Sequence, residues 1–153
     1  MTRGRAVVLA GVVAGVVSTL VQIVLWLAAG NPFPAILYRD ARLAAAIVSG
    51  PSVLQPADAF DARIMLLATA VHFVLSVVFA GILAPIVERR STTQALVRGA
   101  AFGVALYAVD LHLMTLVSPW FEVSRGAITL AAHVAFGVSA ALACAALRPR
   151  DVR

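Results

Sequence analysis

Four apolar runs dominate the chain, near residues 6–29, 64–87, 95–117 and 127–147. About 20 apolar residues in a helix cross the roughly 30 Å hydrocarbon core of a bilayer, so each run is long enough to span. The pattern predicts an all-α protein: a four-helix transmembrane bundle forming one integral membrane domain over residues 1–153. Capping chemistry marks the ends. Asp61 is placed to N-cap the second span, Ser91-x-x-Gln94 has the form of a capping box opening the third, and Ser124 is placed to cap the fourth. Pro85, Pro119 and Pro149 all fall at span ends, where a missing N–H does least harm.

Between the first two spans lies the longest polar-interrupted segment, residues 30–63, which reads "NPFPAILYRDARLAAAIVSGPSVLQPADAFD" over 31–61. Within it Ile36, Leu37, Leu43, Ala44, Ile47 and Val48 recur at helical spacing over 36–48, while Arg39, Asp40 and Arg42 lie largely elsewhere on the wheel. Such a helix is too short to cross a bilayer. It is expected to lie amphipathically in the interface, ended by Gly50-Pro51, as a lid over helix ends or, alternatively, as a gate for a substrate.

Composition agrees with the pattern: 62% of the 153 residues are hydrophobic and 12% charged, against about a quarter charged in soluble domains. The net charge of +5 comes entirely from arginine, since there is no lysine. These arginines sit at segment ends rather than along one face, which argues for a lipid bilayer as partner and against nucleic acid. They also orient the chain. Arg3, Arg5, Arg89, Arg90, Arg98, Arg148, Arg150 and Arg153 lie on one side, and Arg39, Arg42, Arg63 and Arg125 on the other. The positive-inside rule then expects both termini in the cytoplasm of a bacterial inner-membrane protein. Trp26 and Trp120 fall near the opposite, outer interface, where amphipathic rings are favoured. A cleaved signal peptide is the alternative for the first run, but its apolar stretch exceeds the 7–15 residues of a signal core. The single Cys144, in an apolar run, reads as a buried structural thiol.

The two halves resemble each other. Gly11-x-x-x-Gly15 followed by Gln22 recurs as Gly99-x-x-x-Gly103 followed by Asp110, at an offset of 88 residues throughout. His72 and His133 then occupy the next span in each half, as expected of parallel repeats related by an axis along the membrane normal; chance similarity of Ala- and Gly-rich spans is the competing account. Small-residue faces let helix backbones approach in lipid. The first and third spans are therefore expected at the centre of the bundle or at a homo-oligomer contact.

Every histidine lies within a span. Counted at 1.5 Å per residue from the nearest outer marker, His72, Asp110, His112 and His133 all fall about 10–14 Å below the outer edge, in one polar layer. Asp110 and His112 are two residues apart and so face opposite ways. Asp110 shares the stripe of Gly99, Gly103, Tyr107 and Met114; His112 shares that of Ala101, Ala105, Ala108 and Thr115, so each side is expected to meet a neighbour, for example His72 on one and His133 on the other. His72 shares its face with Thr69 and Ser76, and His133 with Thr129 and Gly137. A carboxylate at this depth costs about 2.5–3.5 kcal/mol on insertion scales. Asp110 must therefore be protonated, paired with an imidazolium, or bonded to groups such as Gln22, Ser18 or Thr19.

Three uses of this layer are open: helix registration in a structural or interaction protein, a proton or ion pathway in a small transporter acting as an oligomer, and haem or metal ligation by the histidines. Registration is the leading expectation. No catalytic triad, phosphate loop or cysteine metal motif is present, so no enzyme is expected and no cofactor is assigned.

The stretches "AGVVAGVVSTLVQ", "HFVLSVVFAG", "QALVRGAAFGVALYAVDLH" and "ITLAAHVAFG", with the connector, resemble small bacterial inner-membrane proteins, distantly those of the YagU-like family. His72, Ser76, Gly99 and His133 match similar positions there, whereas Asp110 and His112 do not. The chain also resembles proteins that bear the name sodium:proline symporter, but four spans without a broken helix cannot build the inverted repeats of that transporter type.

Overall fold

The computed structural model describes residues 2–147; Arg148, Pro149, Arg150 and Arg153, counted above among the end markers, lie outside the described residues. Five helices form in order: α1 (Arg3–Ala28), α2 (Ala35–Ser49), α3 (Ala62–Val87), α4 (Thr92–Ala108) and α5 (Ala127–Ala146). Among the described residues there is no strand. Four helical segments are long and apolar enough to cross a membrane, with ends within three residues of those expected; the third runs from Thr92 through α4 to Leu116. The protein is a multi-pass, all-α membrane bundle.

The local signals act largely as expected. Asp61 accepts from the backbone N–H of Arg63 and Ile64, and Ser91 with Gln94 completes a reciprocal capping box. Ser124 does not cap α5: the N-cap is Gly126, without a side-chain bond, and the Ser124 hydroxyl turns inward instead. Gly50 ends α2 with φ +76°, a conformation natural to glycine.

The spans form a ring in the order α1, α3, α4, α5, so α1 and α4 stand at opposite corners rather than together at the centre. Each Gly-x-x-x-Gly face packs instead on the histidine helix of its own half. A Cβ on Gly11 would lie 2.6 Å from the Val77 Cα, and one on Gly15 would lie 3.1 Å from His72 Nε2. In the second half Gly99 meets the Gly137 backbone, and Gly103 meets the backbone of His133 and Val134. The register is the same in both halves: the first glycine opposes the residues four or five beyond the histidine, and the second opposes the histidine itself. The α3–α4 seam is the thinnest of the ring.

Helix α2 lies on α3 and reaches the segment 119–124. Its buried face differs from the expected stripe. Ile36 and Leu43 are buried, Leu37 and Ala44 partly so, but Ile47 and Val48 are exposed, and Ala41, Ala45 and Ala46 take their place. Arg42, expected on the polar side, is only 5% exposed. Its guanidinium donates to the carbonyls of Val53 and Ala59, so it pins the loop that returns to α3. Trp26 is likewise buried beneath this end of the bundle, where an interfacial ring was expected.

Candidate functional site

The third span leaves regular α geometry at the residues that matter most. α4 ends at Ala108; Val109–Leu113 form a π-helical turn and Met114–Leu116 a 3-10 turn. A π turn widens the helix and shifts carbonyls out of register, a distortion often found at functional sites. Here Arg125 Nε donates to the Leu111 carbonyl at 2.6 Å and Arg125 Nη2 to Thr115 Oγ1 at 2.8 Å, so a side chain from the loop just before α5 stabilises the irregular end. This break was not visible in the sequence, where residues 109–113 contain neither Gly nor Pro.

Asp110 projects from the π turn toward α5. Its Oδ2 lies 3.4 Å from His133 Nε2. The other ring nitrogen, Nδ1, faces the Thr129 carbonyl at 2.8 Å and must donate to it, because a carbonyl only accepts. Nε2 therefore shares a single proton with Asp110: either imidazolium faces carboxylate, or neutral imidazole accepts from the carboxylic acid. Both partners are partly open, with side chains 33% and 21% exposed. The Tyr107 ring stands edge-on to His133, and the Tyr107 hydroxyl accepts from the Gly126 N–H at 3.1 Å, fixing the wall beside the pair.

His72 faces the same space from α3. Its Nε2 is 3.2 Å from the Gly15 carbonyl and 3.3 Å from Thr19 Oγ1, while Thr19 and Ser18 both donate to that carbonyl. Nε2 thus carries the hydrogen, and Nδ1 has no partner among the described residues. Buried Ser76 donates to the His72 carbonyl, one turn back.

A third polar group, not anticipated, closes the top. Asp40 of α2 accepts from Arg39 at 2.7 Å, from Gln22 of α1 at 3.3 Å and from Ser124 at 3.3 Å, joining three separate parts of the chain. Burial pushes its carboxyl above the usual carboxylate range, against the pull of Arg39 and the bonds from Arg39 and Ser124. Gln22 is thereby taken by Asp40, and neither it nor Ser18 or Thr19 reaches Asp110. Nothing in the sequence distinguished Asp40 from its neighbouring arginines, because its partners are 18 and 84 residues away.

These groups border one cavity of about 490 Å³. Asp40, His72, Asp110 and His133 line it, with Gln22, Ser18 and Ser76, and apolar side chains make up most of the rest. His112 is not among them. It is exposed on the outside of the bundle, edge-on to Tyr107, and the stripe of Ala101, Ala105 and Ala108 is exposed with it. The expected polar layer of four is thus a cavity-lining set of three, with Asp40 added at the roof and no second interface on the far side of α4. Thr69, expected beside His72, is exposed and bonded within its own helix. Among the described residues no three His, Cys, Asp or Glu side chains gather as a metal-binding group. Comparison with protein-family models, curated proteins and solved structures finds no match for this chain.

Proposed function

We propose that the protein is a small proton-linked transporter of the bacterial inner membrane, with both termini cytoplasmic, working through the cavity among α1, α3, α4 and α5. One observation carries this reading: the Asp110 carboxyl stands 3.4 Å from His133 Nε2 at the wall of a cavity that His72 also lines. Intramembrane ionisable groups facing a cavity are a recurrent part of proton pathways. Helix registration accounts for the glycine faces but gives no use to the cavity, because polar groups that serve only packing are covered by their neighbours. Haem or metal ligation would require His133 to give up Asp110 or Thr129, and among the described residues no metal-binding group of three ligands gathers around it.

The test uses protein reconstituted in vesicles with a pH-sensitive dye inside and a pH gradient imposed across them, with sodium, potassium, chloride and the lipophilic cation tetraphenylphosphonium on both sides. Wild type is expected to admit protons faster than empty vesicles. Asp110→Asn, which keeps the shape but removes the ionisable carboxyl, is expected to fall at least tenfold toward the empty-vesicle rate. Equal flux through wild type and Asp110→Asn refutes the proton pathway.

A further inference from the structure

We propose that the cavity binds an apolar organic monocation, entering from the bilayer between α3 and α4, and that it does so in exchange for the proton held between Asp110 and His133. This rests on the reading of that pair as a proton site.

Three features converge on this ligand class. The first is access. The α3–α4 seam is the loosest in the ring, and Leu75 of α3, Val109 and Met114 of the third span and Ile47 of α2 both line the cavity and are exposed. The way in is therefore walled by apolar side chains at membrane depth, which suits a solute already dissolved in lipid and excludes a small hydrated ion.

The second is the lining. Phe79, Phe121 and Phe136 stand around the cavity with aliphatic side chains between them. Aromatic rings attract cations through their negative faces, most strongly when water is excluded. A volume of about 490 Å³ lies in the range of about 300–1,000 Å³ that holds drug-sized molecules.

The third is charge. The ionisable groups facing the space are Asp40 on α2, His72 on α3, Asp110 on the third span and His133 on α5, while α1 offers only the neutral Ser18 and Gln22. Asp40 is already neutralised by Arg39. That leaves Asp110 as the carboxylate able to change partner, and among the described residues no arginine lines the cavity to receive an anion. When the cation arrives, the shared proton leaves to solvent, His133 remains as neutral imidazole with Nδ1–H still on Thr129, and the Asp110 carboxylate becomes the counter-ion. One positive charge enters and one leaves, so the site stays neutral throughout. No net charge is left in lipid, which is the condition that membrane burial imposes.

The probe is tetraphenylphosphonium, with tetraphenylborate as an anion of the same shape. With the full chain in lipid nanodiscs and empty nanodiscs as baseline, equilibrium dialysis should give saturable binding of one tetraphenylphosphonium per chain and none of tetraphenylborate. In weakly buffered solution binding should release up to one proton per chain. Affinity in wild type should rise with pH, because the cation and the proton compete for the same site. Asp110→Asn should bind at least tenfold more weakly and release no proton; the wild-type pH dependence decides the matter if that variant fails to fold. Equal binding of the two probes, or binding without proton release and without pH dependence, overturns the inference. Cation binding with proton release but no Asp110-dependent flux would leave this site standing and refute transport. Asp110-dependent flux without cation binding would do the reverse.

Discussion

Gly11 and Gly81 both lie within spanning helices, yet replacing each with alanine should move stability in opposite directions. A Cβ at Gly81 would sit 3.6 Å from Val7 Cγ1, an ordinary contact with the end of a side chain. A Cβ at Gly11 would sit 2.6 Å from the Val77 Cα and 2.9 Å from the Ser76 carbonyl oxygen, both backbone atoms that cannot rotate away. Ordinary contact begins near 3.4 Å, so α1 and α3 would have to separate by about 0.8 Å along that line. Alanine in a helix interior is favoured over glycine by about 1 kcal/mol, and this gain is common to both sites. Overpacking costs about 1–3 kcal/mol and arises only at Gly11. Gly81→Ala should therefore stabilise by up to about 1 kcal/mol, and Gly11→Ala should fall about 1–3 kcal/mol below it. The buried Cys144, the chain's single cysteine, supplies the probe: its alkylation rate across an SDS titration in mixed micelles reports how far the bundle has opened. If the two variants unfold together, the close α1–α3 approach is wrong.

Arg42→Met should keep the buried aliphatic stem but lose both donations to Val53 and Ala59; faster amide exchange confined to residues 51–60 is expected, and exchange unchanged there would refute the pinning role. Asp40 should make the roof sensitive to pH. Its carboxyl is raised by burial, so between the unfolded and folded values the folded state binds more protons and stability falls as pH rises. Exchange protection of α2, corrected for the intrinsic pH dependence, should thus be greatest in acid and decline as pH climbs through the folded value. Asp40→Asn should flatten that dependence, and protection that increases with pH would contradict it.

Much of this architecture is local in origin and so can be read along the chain. Span length follows from bilayer thickness, the Asp61 cap and the Ser91/Gln94 box need only three or four consecutive residues, and the α2 terminus needs only Gly50. The glycine faces announced close helix contacts for the same reason, since a surface without side chains has little else to do in lipid. What they touch is a different matter. α1 and α4 present similar faces, and either a central pair or two separate pairings would satisfy the packing rule; only the folded ring decides for α1 on α3 and α4 on α5.

The site divides in the same way. That Asp110 and His112 face apart is a property of helical periodicity, and His133 was a reasonable partner from depth alone. Three things required the third dimension. The π turn at Val109–Leu113 depends on Arg125 reaching back 14 residues to Leu111. The junction at Asp40 depends on α2 folding over the bundle end to meet Gln22 and Ser124. The cavity depends on a loose seam between α3 and α4, an absence of packing that no residue encodes. Hydrophobicity, caps and turns act over a few residues and leave their mark in sequence. Which faces meet, and what space remains between them, is set by how rigid helices fill a common volume, and that is decided only in the assembled bundle.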